Sequence, residues 1–167
     1  EREHAHAAFV VGQQAARVRV LGLAHGLSGN SGLQTLNDVA HAHPELDIVF
    51  RDDQAHLPYG NKSPEELIGF VVPILYDLVA EGCQLIIVAC NTVTTTIISE
   101  LRDTMPVPLV AVEPMVKPAA ELTTTGVIAV CATPTTLAST RYAELKQEYA
   151  SRLTVIEPDC SDWTTMI

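Results

Sequence analysis

The sequence predicts an α/β protein with a doubly wound, mostly parallel sheet, and three observations carry that expectation. Short apolar runs of strand length alternate with segments whose apolar residues recur at helical spacing. The connections between them are short, as in βα units. Several of the runs are apolar at every position rather than at alternate ones, which suits strands covered on both faces.

Residues 1–17 are Ala-rich and polar, and are read as an N-terminal extension without chemistry. Val18 to Leu23 is the first strand, with Arg19 marking a partly exposed end. The turn that follows carries Gly26, Gly29 and Gly32. Such a turn lets backbone amides approach an anion. Neither G-x-G-x-x-G nor the Lys-bearing Walker A pattern is met, which disfavours a nucleotide cofactor. Ser28 and Asn30 remain hydrogen-bond donors, with a tight structural turn as the alternative.

A helix is expected from Leu33 to about His41, capped by Asn30 or Ser31 and ended by Pro44. Leu46 to Phe50 reads as a second strand. The polar loop after it, residues 51–62, falls on the sheet's carboxyl edge, where open α/β sheets bind ligands. Pro58 and Gly60 fix a turn about Tyr59, whose phenol can reach that edge, against an ordinary surface turn.

Ser63-Pro64-Glu65-Glu66 is a helix start, with Ser63 as N-cap, Pro64 at the first position and Glu66 completing a capping box. Leu67, Phe70, Val71, Ile74, Leu75, Leu78 and Val79 follow at helical spacing, and Pro73 is expected to interrupt and kink this helix. Leu85 to Ala89 is then a third, fully apolar strand that stops at Cys90. The segment from Val93 to Arg102 can turn helical, with Asn91 or Thr92 as its N-cap. Cys90 would thus face the first turn of a helix, whose amides and dipole favour an anion, so its thiol is expected to ionise more readily than a free one. Packing is the competing role, because cysteine is among the most buried residue types. Asn91 and Thr92 beside it supply an amide and a hydroxyl suited to gripping a carboxylate.

Pro108 to Val112 is a fourth strand, and a helix runs from Glu113 through Leu122. Gly126 to Cys131 is a fifth strand, with Cys131 read as packing. Ala132-Thr133-Pro134-Thr135-Thr136 repeats the arrangement after Cys90, with Thr133 and Thr136 either binding a ligand or capping the helix from Leu137 to Tyr149. Leu153 to Ile156 is a sixth strand. A lobe boundary falls most naturally where prolines cluster, giving a first α/β lobe over 18–113 and the start of a second over 114–167.

Composition narrows the function. With 167 residues, 47% hydrophobic and 18% charged, the chain is expected to bury one substantial core or parts of two small lobes. A net charge of −10, with ten Lys and Arg in all, argues against a nucleic-acid surface. No run is long enough to span a bilayer and no signal-peptide pattern is present, so a cytoplasmic protein with reduced thiols is expected. Cys83, Cys90, Cys131 and Cys160 lack C-x-x-C spacing, and the six histidines lack H-E-x-x-H, so no metal site is expected and the histidines read as solvated surface.

Five motifs, Ser28-Gly29-x-x-Gly32-Leu33, Pro58-Tyr59-Gly60-x-Lys62-Ser63, Ala89-Cys90-Asn91-Thr92, Val116-Lys117-Pro118-Ala119 and Ala132-Thr133-x-x-Thr136, occur in one order. Their order and approximate spacing resemble those of the glutamate racemases, in the cofactor-independent aspartate/glutamate racemase superfamily, from about Val18 to Ile156. The resemblance implies two Rossmann-like lobes, the second incomplete in these residues. It also implies interconversion of L- and D-glutamate for peptidoglycan supply, without a cofactor, and it is compatible with a homodimer. It makes Cys90 one of two catalytic cysteines, and Ser28, Tyr59, Gly60, Asn91, Thr92, Thr133 and Thr136 the lining of the amino-acid site.

That chemistry suits these residue types. Inverting an α-carbon needs an acid/base group on each face. Hydrogen bonds to the substrate carboxylate must hold the developing charge.

Two departures stand out. Leu27 occupies the place of the family's Asp before Ser28-Gly29, and the family's Cys-Thr-His motif, which carries the second cysteine, is absent from residues 1–167. Cys160, flanked by Asp159, Ser161 and Asp162, does not match it. Two alternatives therefore stand beside the racemase: a one-cysteine decarboxylase or isomerase of the same superfamily, and a noncatalytic amino-acid-binding module.

Overall fold

The computed structural model describes residues 19–21 and 30–161. Its elements, in order, are β1 (Arg19–Leu21), α1 (Asn30–Ala42), a 3-10 turn (Tyr59–Asn61), α2 (Pro64–Ala80), β2 (Ile86–Val88), α3 (Asn91–Thr104), β3 (Leu109–Ala111), α4 (Val116–Leu122), β4 (Val127–Ala129), α5 (Pro134–Leu137), α6 (Thr140–Tyr149) and β5 (Thr154–Ile156). Strands and helices alternate and every ladder is parallel, so the expected α/β class holds. The strands form two sheets, ordered β1-β2-β3 and β4-β5.

In the first sheet β2 is central, with Ile87 opposite Val20 on one side and Val110 on the other. Its three residues are buried on both faces, as an unbroken apolar run demands. Leu67, Val71, Leu75 and Leu78 form one stripe of α2, and Val93, Ile97 and Leu101 one stripe of α3; both pack into this core. A smaller core joins Val116, Ile128, Tyr142, Leu145 and Ala150 around the second sheet.

α3 touches α2 on one side and α5 and α6 on the other, so it is the seam between the two cores. A bidentate ion pair crosses this seam from Arg141 to Glu113 at 2.7 and 2.9 Å, and the guanidinium holds the Glu113 carboxyl below its usual range.

The predicted capping box of α2 is present: Glu66 N–H donates to Ser63 Oγ at 3.2 Å and Ser63 N–H to Glu66 Oε2 at 2.8 Å. Other expectations need correction. Residues 46–50 form no ladder among the described residues, although Val49 still packs against the first core. Apolar strand-like sequence makes a strand only where a neighbour supplies its hydrogen bonds. α1 begins at Asn30, so Asn30 and Ser31 lie inside its first turn rather than before it.

α2 runs unbroken through Pro73. Pro73 and Gly69 lie on the solvent side, where water can satisfy the carbonyl that the proline leaves without a donor. The single helix expected over 137–149 is two. Ser139 divides them, its Oγ accepting Tyr142 N–H at 3.2 Å as the N-cap of α6 while donating to Thr136 O at 2.7 Å.

Candidate active site

Cys90 ends the central strand and is itself the N-cap of α3, in extended backbone with φ −136° and ψ 113°. The sequence expected Asn91 or Thr92 there. The cap falls one residue earlier because only Ala89 and Cys90 separate β2 from α3, and Thr94 N–H already donates to Cys90 O at 2.9 Å. The side chain is only 3% exposed.

Burial pushes the Cys90 thiol up to about 11, against the backbone N–H groups of Val93 and Thr92 and the Thr92 hydroxyl, which face the sulfur and favour the thiolate. The expectation of an easily ionised thiol is therefore wrong. Helix amides help an anion, but no full capping hydrogen bond forms to the sulfur, and the loss of water outweighs the rest.

Thr92, 2% exposed, is the hub of a three-hydroxyl cluster. Its Oγ1 lies 3.1 Å from Thr133 Oγ1 and 3.4 Å from Thr136 Oγ1, and Thr133 donates to Thr136 at 3.0 Å. Thr133 also caps α5, accepting Thr136 N–H at 3.3 Å, so binding and capping need not compete at this residue. Thr135 Oγ1 donates to Gly60 O at 2.5 Å. Three segments far apart in sequence, around residues 60, 92 and 135, are thereby drawn together beside the thiol.

Tyr59 is fully buried rather than part of a surface turn. Burial and the adjoining carboxylate of Asp53 hold its phenol well above the usual tyrosine range, and a negative charge on Cys90 would push the same way. Tyr59 donates to Asp53 Oδ2 at 2.5 Å, and His56 Nδ1 lies 2.8 Å from both Asp53 oxygens. His56 is stacked on Phe70 with ring centroids 4.0 Å apart.

Asp53, 8% exposed, is a residue the sequence reading missed. Its signal was the spacing Asp53, His56, Tyr59, which brings a carboxylate, an imidazole and a phenol into one loop. His56 is correspondingly more than solvated surface.

The sequence model of the Asp/Glu/hydantoin racemases matches residues 20–162. The chain belongs to that family. Among the family's glutamate racemases, that of Herpetosiphon aurantiacus is 38% identical over 140 residues, covering 84% of this chain and 55% of its own length. That of Pseudomonas aeruginosa is 40% identical over 134 residues, covering 80% of this chain and 51% of its own. The chain thus spans about half the length of these relatives. The Escherichia coli glutamate racemase, solved with L-glutamate and the activator UDP-MurNAc-Ala, superposes with a TM-score of 0.75 at 30% identity, over 84% of this chain and 52% of that one. The Aquifex pyrophilus glutamate racemase gives 0.72 at 27% identity, over 84% of this chain and 54% of its own.

In this racemase-family chain, Cys90, Tyr59, Gly60, Thr92, Thr133 and Thr136 come together at the carboxyl edge of the first sheet. Asn91 is exposed at the first position of α3, its carbonyl accepting Thr95 Oγ1–H at 2.8 Å. Ser28 and Leu27 lie outside the described residues. A groove of about 880 Å³ runs between α3 and the α5–α6 segment, past Thr94, Arg102, Thr135 and Arg141, and neither Cys90 nor Thr92 lines it. Cys131, expected to pack, is exposed, because β4 buries only its middle residue, Ile128.

Proposed function

We propose that this chain carries one of the two acid/base thiols of a glutamate racemase, and that Cys90 is that thiol. The observation that carries the reading is the convergence of Cys90 with Tyr59 and with the Thr92–Thr133–Thr136 hydroxyls, in a chain whose relatives at 38–40% identity are glutamate racemases. Inversion moves the α-proton of glutamate to a base on one face and delivers another from an acid on the opposite face. A thiol with its pKa near 11 is protonated at neutral pH, so Cys90 is ready as the donor for one enantiomer and must first give up its proton to act as the base toward the other, which makes exchange by this thiol alone slow. Its complement is the cysteine of the Cys-Thr-His motif that residues 1–167 lack.

The threonine hydroxyls beside the start of α3 suit the substrate carboxylate, where hydrogen bonds offset the charge that builds on the carbanion. Asp53 acts behind Tyr59, fixing the phenol's direction. The reading requires no cofactor. It also carries a cytoplasmic role in supplying D-glutamate for peptidoglycan; no helix among the described residues is long and apolar enough to cross a membrane.

The burial of Cys90 favours a second reading, a binding module that has lost the chemistry. Incubating the 167-residue chain with each glutamate enantiomer in D2O separates the two. The racemase reading expects slow α-deuterium incorporation into one enantiomer without inversion, abolished in Cys90→Ala. Binding of glutamate with no exchange supports the module, and enzyme-like inversion by this chain overturns the need for a second thiol.

A further inference from the structure

The reaction proposed above uses one of four cysteines, and two of the others meet. β4 and β5 are parallel neighbours, with Ala129 opposite Ile156 and Val130 N–H donating to Ile156 O at 2.9 Å. The chain leaves both strands at the same edge of the sheet, with Cys131 two residues beyond β4 and Cys160 four beyond β5. Continuing the β4–β5 register places Pro158 opposite Cys131, so Cys160 lies two residues further along the neighbouring segment. The Cys160 sulfur faces both the Cys131 thiol and the Ala132 N–H.

Both thiols are free, and their surroundings are unequal: Cys131 is exposed, whereas Cys160 is only 5% exposed. A reagent in solution therefore reaches Cys131 first, with Cys160 directly behind it. No metal-holding group of three or more His, Cys, Asp or Glu side chains occurs among the described residues, so oxidation suits this pair better than ligation.

We propose that Cys131 and Cys160 form a two-thiol redox site, in which a hydroperoxide oxidises Cys131 and Cys160 then closes an intramolecular disulfide. In the first step the Cys131 thiolate attacks a peroxide oxygen and the O–O bond breaks. The sulfur keeps that oxygen as a sulfenic acid, and the other oxygen takes a proton and leaves as water or an alcohol. In the second step the Cys160 sulfur attacks the Cys131 sulfur, the S–O bond breaks, and the hydroxyl leaves as water with the Cys160 proton. The two thiols together lose two electrons and the hydroperoxide gains two. The bond would fasten the segment after β5 to the turn that leads into Thr133, and so reaches the hydroxyl cluster beside Cys90. The site stands whether or not the racemase reading does.

The test treats the reduced 167-residue chain with stoichiometric hydrogen peroxide, then maps it by mass spectrometry without reduction. The expected product is a monomer lighter by two hydrogens, with the Cys131 and Cys160 peptides joined and the change reversed by dithiothreitol. After unfolding, maleimide should still label Cys83 and Cys90 but neither Cys131 nor Cys160. In Cys160→Ser, Cys131 should stop at the sulfenic acid and be trapped by dimedone, whereas the native chain escapes trapping. Because Cys131 is exposed, Cys131→Ser leaves the core intact and should leave Cys160 reduced. Equal dimedone trapping of Cys131 in the native chain and in Cys160→Ser, or disulfides only between chains, would overturn the proposal.

Discussion

The two sheets present similar sequence and unlike surroundings. Leu85-Ile86-Ile87-Val88-Ala89 and Val127-Ile128-Ala129-Val130 are both apolar runs that end at a cysteine and pass into a threonine-bearing helix start. The first becomes a central strand with every residue buried, whereas the second pairs on one side only among the described residues and leaves Val127 41% exposed, as β5 leaves Ile156 at 50%. The consequence falls on the cysteines. Cys90 is sealed and hard to ionise, while the corresponding Cys131 is open to solvent. Position at the end of a strand brings a thiol to the ligand-binding edge, and what covers the strand decides which chemistry it can do there.

The most severe challenge to this contrast is truncation of one isoleucine in each sheet. Ile86→Ala in β2 removes a side chain with no exposure and should cost about 2–5 kcal/mol in urea denaturation. Ile156→Ala in β5, half exposed, should stay within about 0.5 kcal/mol. Equal losses would mean that the outer face of the second sheet is covered after all, and the comparison between Cys90 and Cys131 would lose its basis.

A smaller effect is expected from pH. The Cys90 thiol is raised in the folded chain from an ordinary value near 9.0 to about 11, so folding disfavours its ionisation. The resulting contribution to stability is fully present below about pH 9 and disappears as pH rises through about 11. Two pH units correspond to roughly 2–3 kcal/mol. Tyr59, raised by burial and by Asp53, adds to the loss in the same direction. Stability of Cys90→Ala measured against alkaline pH should fall less steeply than that of the native chain. Identical slopes would show that the sulfur is already solvated.

Much of this was legible in the sequence because local chemistry and tertiary surroundings agree. Ser63, Pro64 and Glu66 announce α2 in the same residues that build its cap, and the continuous apolar run before Cys90 matches the burial of β2. The threonines near 92 and 133 could be assigned to one edge from strand direction alone. What stayed hidden depended on neighbours. Residues 46–50 look like a strand but lack a ladder among the described residues. Whether Cys131 packs depends on what lies over a face, and the direction of the Cys90 shift depends on desolvation outweighing helix amides, neither of which spacing encodes. Ser139 breaks a helix that periodicity alone would continue, and Asp53 joins the site only because Tyr59 turns inward to meet it.

The mildest change probes the seam between the two regions. Thr92→Val preserves shape and deletes the hydroxyl that reaches Thr133 and Thr136 at 3.1 and 3.4 Å. Those two threonines keep their mutual 3.0 Å bond, so no partner loses all its contacts, and the cost to stability should be about 1 kcal/mol. The informative readout is hydrogen exchange at the amides of α5. If the hydroxyl cluster fastens the second region to the start of α3, exchange there should speed up while the amides of β2 keep their protection. Unchanged exchange in α5 would mean that the Thr135–Gly60 bond and the Arg141–Glu113 pair hold the seam without Thr92, leaving its hydroxyl free to serve a ligand.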